Sequence, residues 1–497
     1  MDALAFGLIS TIPLLLLFTG LTVTRIPSHF VTLAGLAVTA ILAFFVWHMA
    51  PVRIVSSVME GGLIAVVPII WVILAAVFTY FAGVESGAME TVRGTLVTLS
   101  PDRNVQAVII AYCFGGFLEG VAGFGTAVAI PTAVLITMGF APITAAVIAL
   151  VANSVPVAFG ALGIPVIVLA QITGLDLETL TRYVALQLLP FSILVPLVIA
   201  LISNGGIRGI GPSLPEVLVL GLLFGGIQTA TAFYLGPELV AVMGALGSLA
   251  LFILYKSATG KWKAGGDPKK LLPALASYIV LLALVLITRL LPLDVLKQAP
   301  FVFVIPTGAG AVKIDWLTTP GTLLFVSAVA GSLLQGLSLK TVGRVFVQAL
   351  DRIKWSAWTI VNIVALAKIM GYSGMVASTA TLLAALSGKA YPLLAPGLGA
   401  VGTFVTGSDT ASNILLGELQ RETAVKIGAD PSWIAASNTS GATAGKMISP
   451  QSISVAAATI GLQSEERSIV RRTLLYCAAY SAVMGLFVYV VNLLLTR

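Results

Sequence analysis

Apolar runs about as long as a lipid bilayer is thick recur along this chain, near residues 4–23, 30–50, 61–83, 184–203, 216–235, 237–256, 271–291, 318–336, 355–371 and 470–495. A helix needs about 20 apolar residues to cross hydrocarbon, and only helices and closed barrels satisfy all their backbone hydrogen bonds there. The runs are continuous rather than alternating, which specifies helices and excludes an outer-membrane barrel. Charge points the same way. Only 9% of the 497 residues are charged, against roughly a quarter in a soluble domain. Soluble enzymes and secreted disulfide scaffolds are thereby excluded. The expected fold is an all-α polytopic membrane protein with about 12–14 transmembrane segments.

The net charge of +7 arises from 27 basic and 20 acidic residues, concentrated between the apolar runs. Lys256, Lys261, Lys263, Lys269 and Lys270 cluster in one polar linker, 257–270 with its edge, and Arg467, Arg471 and Arg472 precede the last run. The positive-inside rule places both segments in the cytoplasm, and nothing in their pattern implies nucleic-acid binding. Cys113 and Cys477 lie within apolar stretches and are expected as small core residues. The opening MDALAFG has no basic region before its apolar run, which is therefore expected as a retained helix.

Two regions, 104–175 and 390–462, stay apolar yet are broken repeatedly by Gly, Pro, Asn, Ser and Thr. Broken helices free backbone groups that lipid cannot satisfy, so these regions must be enclosed by protein or border a water-filled cavity. They also resemble each other. GFGTAVAI at 123–130 aligns with GSDTASNI at 407–414, and ANSVPVAFGALGIP at 152–165 aligns with SNTSGATAGKMISP at 437–450. GVESGAM at 83–89 is echoed by GYSGM at 371–375. The chain thus divides into a first half, 1–215, connecting helices with the basic linker at 216–317, and a second half, 318–497. Duplication with paired broken helices and re-entrant hairpins is the mark of secondary transporters with inverted repeats, which bind substrate between the repeats.

Charges stranded in these regions are few. Glu119 is the only one between 104 and 175, and Lys446 the only one between 432 and 462. An ionised side chain in hydrocarbon costs about 2.5–3.5 kcal/mol even on the lenient scale, so each needs a partner, a proton or water. Glu119 either couples protons or locks two helices together, while Gly120, Gly123 and Gly125 beside it favour close helix packing. Asp409 stands where the first repeat has Gly125, and either takes up a proton or caps the helix starting near Thr410. Lys446, opposite Ala161 in the alignment, either holds a carboxylate or snorkels. Lys368 lies alone on a regular helix, where an interfacial or structural role is expected. Asn153-Ser154 and Asn438-Thr439-Ser440 are expected at helix breaks, where amides, hydroxyls and freed N–H groups receive an anion. His29 and His48 are expected at the interface. No metal, nucleotide or nucleophile constellation accompanies these residues, so no cofactor is expected.

GSDTASNILLG at 407–417, ASNTSGATAGKMISPQSISVA at 436–456 and FLEGVAGFGTAVAIP at 117–131 resemble the signature regions of the bacterial L-lactate permease family, over nearly the whole chain. Ala127, where the family has proline, and Ala411-Ser412-Asn413, where it is richer in asparagine, depart from the pattern. The resemblance implies proton-coupled uptake of lactate and related 2-hydroxy monocarboxylates such as glycolate across the cytoplasmic membrane, and no enzymatic activity. Together with the stranded charges and broken segments, this makes Gly123, Thr126, Asn153, Ser154, Thr410, Asn438, Thr439, Ser440, Lys446, Ser449 and Gln451 the expected substrate contacts, with Glu119 or Asp409 expected to carry the proton. The paired Asn-Ser/Thr breaks are also similar to hairpin tips in a wider ion-transporter superfamily, which implies inverted repeats and a homodimer. A sodium-coupled dicarboxylate carrier, a channel and a membrane-embedded enzyme are the alternatives.

Overall fold

Helices follow the apolar runs throughout the computed structural model, which describes residues 3–23, 26–96, 100–121, 123, 125–259, 272–290, 301–461 and 465–495. Lys261, Lys263, Lys269 and Lys270 of the basic linker, and Ala122 and Phe124 of the first glycine motif, lie outside the described residues. Ten helices are long and apolar enough to cross a membrane among the described residues. Four shorter apolar helices, Thr126–Thr137, Pro142–Ala152, Ala276–Thr288 and Pro320–Leu334, accompany them. Both cysteines are buried and free, as expected of core positions. His29 stacks on Trp355 with ring centroids 4.6 Å apart.

Two 35-residue helices, Pro51–Glu85 and Leu339–Ser373, pack along one another. Gly61 meets the backbone of Ala365, Glu60 pairs with Lys368 at 3.0 Å, and Glu85 pairs with Arg344 at 2.5 Å. Residue numbers rise on one helix as they fall on the other, so the two are antiparallel. Their C-terminal ends carry the related GVESGAM and GYSGM motifs, which therefore lie at opposite ends of the pair.

The short antiparallel hairpin Val302–Pro306 and Ala311–Asp315 was not anticipated by the helical reading of this region. Its turn reaches the Glu60 carboxylate. Thr307 Oγ1 donates to Glu60 Oε2 at 2.9 Å, and the Tyr372 hydroxyl donates to both carboxylate oxygens at 2.9 and 3.0 Å. Lys368 thus serves a structural carboxylate. Lys368→Met is expected to destabilise the protein by on the order of 3 kcal/mol, because it strands a buried carboxylate. Thermal unfolding in detergent should show this loss, and Glu60→Gln added to Lys368→Met should recover most of it. An unchanged unfolding midpoint would show that the pair is solvated.

The broken regions are built from short helices. In the first, the Arg103–Val121 helix contains a π-helical stretch at Val108–Phe114, then breaks at glycines with φ of 57° (Gly123) and 86° (Gly125) before Thr126–Thr137 begins. Helix Pro142–Ala152 ends at Asn153, a short 3-10 helix spans Pro156–Phe159, and regular α-helix resumes at Ile164 only after Ala161, Leu162 and Gly163 all take left-handed φ of 42°, 62° and 75°. Two of these are not glycine, and such strain concentrates at functional sites. In the second region, Tyr391–Thr406 stops at Gly407 with φ of 72°, and Asp409–Ile427 follows. Helix Pro431–Lys446 then breaks at 447–449 before Pro450–Thr459. Asn438, Thr439 and Ser440 accordingly lie inside the Pro431–Lys446 helix, not at a break. In a protein-enclosed helix, polar side chains bond to neighbouring helices instead of terminating their own.

Candidate functional site

A cavity of about 370 Å³ lies where the broken regions of the two halves meet. Gly123, Gly160, Ala161 and Pro165 border it from the first half, and Gly407 to Ala411, Lys446, Pro450 and Gln451 from the second. Every helix break of the duplicated motifs thus reaches one space. Its outer wall includes Ser356 and Thr359 of the Leu339–Ser373 helix.

Helix starts dominate this lining for a reason of packing. Asn413 Nδ2 donates to the Pro165 carbonyl at 2.9 Å, and four residues on, Gly417 packs on Leu169 and Thr173. The 164–173 and 409–427 helices therefore run parallel, with their starts side by side at the cavity. Ser408 caps the second of these, its hydroxyl accepting from the Ala411 N–H at 3.3 Å. Ser449 caps the Pro450–Thr459 helix in the same way, accepting from the Ser452 N–H at 3.3 Å. Helix starts carry unpaired N–H groups and partial positive charge, which suits an anion.

Three ionisable side chains face this space, with Glu119 and Asp409 each 3% exposed and Lys446 8%. Capping by Ser408 leaves Asp409 free of the capping role considered for it, and neither of its carboxylate oxygens has a hydrogen-bond partner. Glu119 Oε2 is equally unpartnered. Its carboxylate lies in a cradle made by Gly160 and Gly123, where added Cβ atoms would stand 2.8 and 3.3 Å from Oε1. Lys446 Nζ donates to the Gly407 carbonyl at 2.6 Å and lies within electrostatic reach of both carboxylates. That carbonyl closes the Tyr391–Thr406 helix, an end whose partial negative charge favours an ammonium. Lys446 thus turns inward to the cavity and does not snorkel.

Of the residues singled out from the sequence, Glu119, Gly123, Asp409, Thr410, Lys446 and Gln451 line the cavity. Thr126, Asn153, Ser154, Asn438, Thr439, Ser440 and Ser449 do not. Thr126 Oγ1 donates to the Gly123 carbonyl at 2.9 Å and Ser154 Oγ to the Val151 carbonyl at 2.7 Å, so each braces a helix end. Asn153 is buried beside Glu119, with no hydrogen bond of standard geometry from either end of its amide. Asn438 Nδ2 and Thr439 Oγ1 both donate to Asn413 Oδ1, at 2.9 and 3.1 Å, and Asn438 Oδ1 accepts from Gln420 Nε2 at 3.1 Å. Ser440 bonds to Gln187 of the first half. These bonds tie the cavity's helices together.

Asn438→Ala is consequently expected to lower thermal stability by about 1–3 kcal/mol, the cost of leaving buried partners unpaired, with substrate affinity of the folded protein within about twofold of the parent. Isothermal titration beside thermal unfolding checks both halves of this expectation. A large loss of affinity at unchanged stability would make Asn438 a substrate contact.

Gly160, Ala161, Gly407, Ser408, Ser356 and Thr359 were not singled out from the sequence. Spacing offered a signal for the last two, since i and i+3 on a helix share a face and both are polar within an apolar run.

The family described as L-lactate permease matches residues 7–495 of this chain. Sequence similarity extends to individual proteins: 36% identity to the L-lactate permease of Streptococcus iniae over 86% of this chain and 93% of that protein, and 34% to the glycolate permease GlcA of Escherichia coli over 97% and 94%. The L-lactate permease of Bacillus subtilis is 32% identical over 95% and 93%. Among solved structures, the MtrF transporter of Neisseria gonorrhoeae shares the fold, with a TM-score of 0.52 at 11% identity, covering 92% of this chain and 94% of that one.

Proposed function

The chain belongs to the L-lactate permease family, and from that premise we infer that it carries L-lactate and related 2-hydroxy monocarboxylates such as glycolate into the cell together with protons. It is a multi-pass transporter of the bacterial inner membrane and not an enzyme.

Charge balance in the cavity is the observation that carries the proton-coupled reading. Two carboxylates, Glu119 and Asp409, face one ammonium, Lys446. A carboxylate substrate adds a third negative charge to a space with a single cation. Uncompensated charge in a low-dielectric interior costs several kcal/mol, so binding the anion is favourable only when a carboxylate accepts a proton. Substrate and proton then enter together. Lys446 and the N–H groups at the starts of the 164–173 and 409–427 helices would hold the substrate carboxylate. Thr410 and Gln451 would hydrogen-bond its 2-hydroxyl.

Lys446 is the only basic residue lining the cavity among the described residues, which favours a monocarboxylate over a dicarboxylate. The antiparallel Pro51–Glu85 and Leu339–Ser373 helices, with related motifs at opposite ends, support inverted repeats. On that plan the cavity opens alternately to the two sides as the halves rock.

Reconstituted vesicles test the proposal. An inward proton gradient without sodium should drive accumulation of lactate and glycolate, and excess succinate should leave it unchanged. Sodium-dependent accumulation indifferent to the proton gradient would overturn the coupling.

A further inference from the structure

A second cavity, about 840 Å³, opens between the start of the Pro142–Ala152 helix, the end of Leu177–Asn204 and the start of Glu466–Leu495. The Lys256–Glu216 ion pair, at 2.7 Å, joins the end of Val240–Ala258 to the start of Leu214–Tyr234. The loop after Leu177–Asn204 therefore lies on the face from which the basic linker departs, the face assigned to the cytoplasm by its positive charge. Arg471 and Arg472 line this cavity beside the apolar side chains of Ile143, Val147 and Leu201. Leu475, one helical turn further, is 70% exposed, so the cleft adjoins a surface that faces lipid. Two helices also begin here, adding unpaired N–H groups to the guanidinium charges.

Two guanidinium groups at the membrane face, continuous with an apolar wall along the spans, match a ligand with an anionic head and a hydrocarbon tail. We propose that this cleft binds an anionic glycerophospholipid of the cytoplasmic leaflet, its phosphate against Arg471 and Arg472 and an acyl chain along Ile143, Val147 and Leu201. Basic pockets between transmembrane helices recognise lipid headgroups in this way. A free phosphate would leave the apolar wall unfilled, and a zwitterionic lipid would offset the attraction with its own cation. The site is separate from the substrate cavity, and it stands whichever carboxylate is carried.

Native mass spectrometry of the purified full-length protein in detergent tests this with phosphatidylglycerol, phosphatidylcholine of matched chains, and glycerol 1-phosphate. Phosphatidylglycerol should be retained at least about tenfold more tightly than phosphatidylcholine, and glycerol 1-phosphate should not be retained. R471Q/R472Q should weaken retention about 30-fold, each basic residue contributing roughly a factor of five. Ile143→Trp, which fills the cleft without altering charge, should also weaken it, whereas Arg467→Gln, outside the lining, should not. Equal retention of the two lipids overturns the proposal. So does tight retention of glycerol 1-phosphate, or an equal loss from Arg467→Gln and R471Q/R472Q with none from Ile143→Trp.

Discussion

Lys446→Met should abolish lactate uptake by lowering affinity at least about 30-fold. The ammonium is the one cation lining the cavity between the broken regions among the described residues, and it is held on the Gly407 carbonyl at 2.6 Å. Truncating one partner of a buried, hydrogen-bonded charge pair costs about 2–5 kcal/mol, which corresponds to roughly 30-fold to several thousand-fold in affinity. Methionine preserves the length and packing of the side chain, so the helix ends around it need not collapse. Arginine should rescue poorly, because its planar fork demands different geometry from a compact ammonium. Equilibrium binding of lactate to purified protein, with thermal unfolding as a control for folding, measures the effect. Parental affinity in Lys446→Met would remove Lys446 from the substrate site.

The second large effect concerns coupling. Asp409→Asn should eliminate accumulation driven by a pH gradient while preserving exchange of internal for external lactate. A one-to-one electroneutral symporter concentrates its substrate about tenfold per pH unit, so the parent should reach that ratio and the variant about unity. The asymmetry between repeats supports choosing Asp409 first, since its counterpart is Gly125 and both its oxygens lack partners. Glu119→Gln provides the comparison. If loss of accumulation with preserved exchange appears there instead, Glu119 is the proton carrier. If both variants accumulate lactate as the parent does, neither carboxylate is, and the charge-balance reading fails.

Much of this site was legible before any tertiary contact was known. Glu119, Asp409 and Lys446 could be picked out because charge is rare in these apolar regions, and rarity makes each occurrence costly and informative. The Gly-, Pro- and Asn-interrupted regions do break, among other places at Gly123 and Gly407, at backbone conformations suited to glycine. Asn438, Thr439 and Ser440 were harder to place, since an asparagine reads locally as a helix end. Asn413 and Gln420, on a neighbouring helix, supply partners that let the helix continue. Lys368 was legible as a lone charge, but its partner Glu60 lies on a helix far away in sequence, and the Thr307 hydroxyl that donates to Glu60 lies in the turn of a hairpin no pattern announced.

By itself the sequence determined the solvent, the helical class and the two broken regions, because hydrocarbon tests each segment locally for length, charge and backbone satisfaction. Only the tertiary structure decided which stranded charges share a cavity, that Ser408 rather than Asp409 caps its helix, and that the Asn438 region braces the site. Those outcomes depend on the pairing of groups remote in sequence, and a polar side chain's role follows from the partner that packing brings to it.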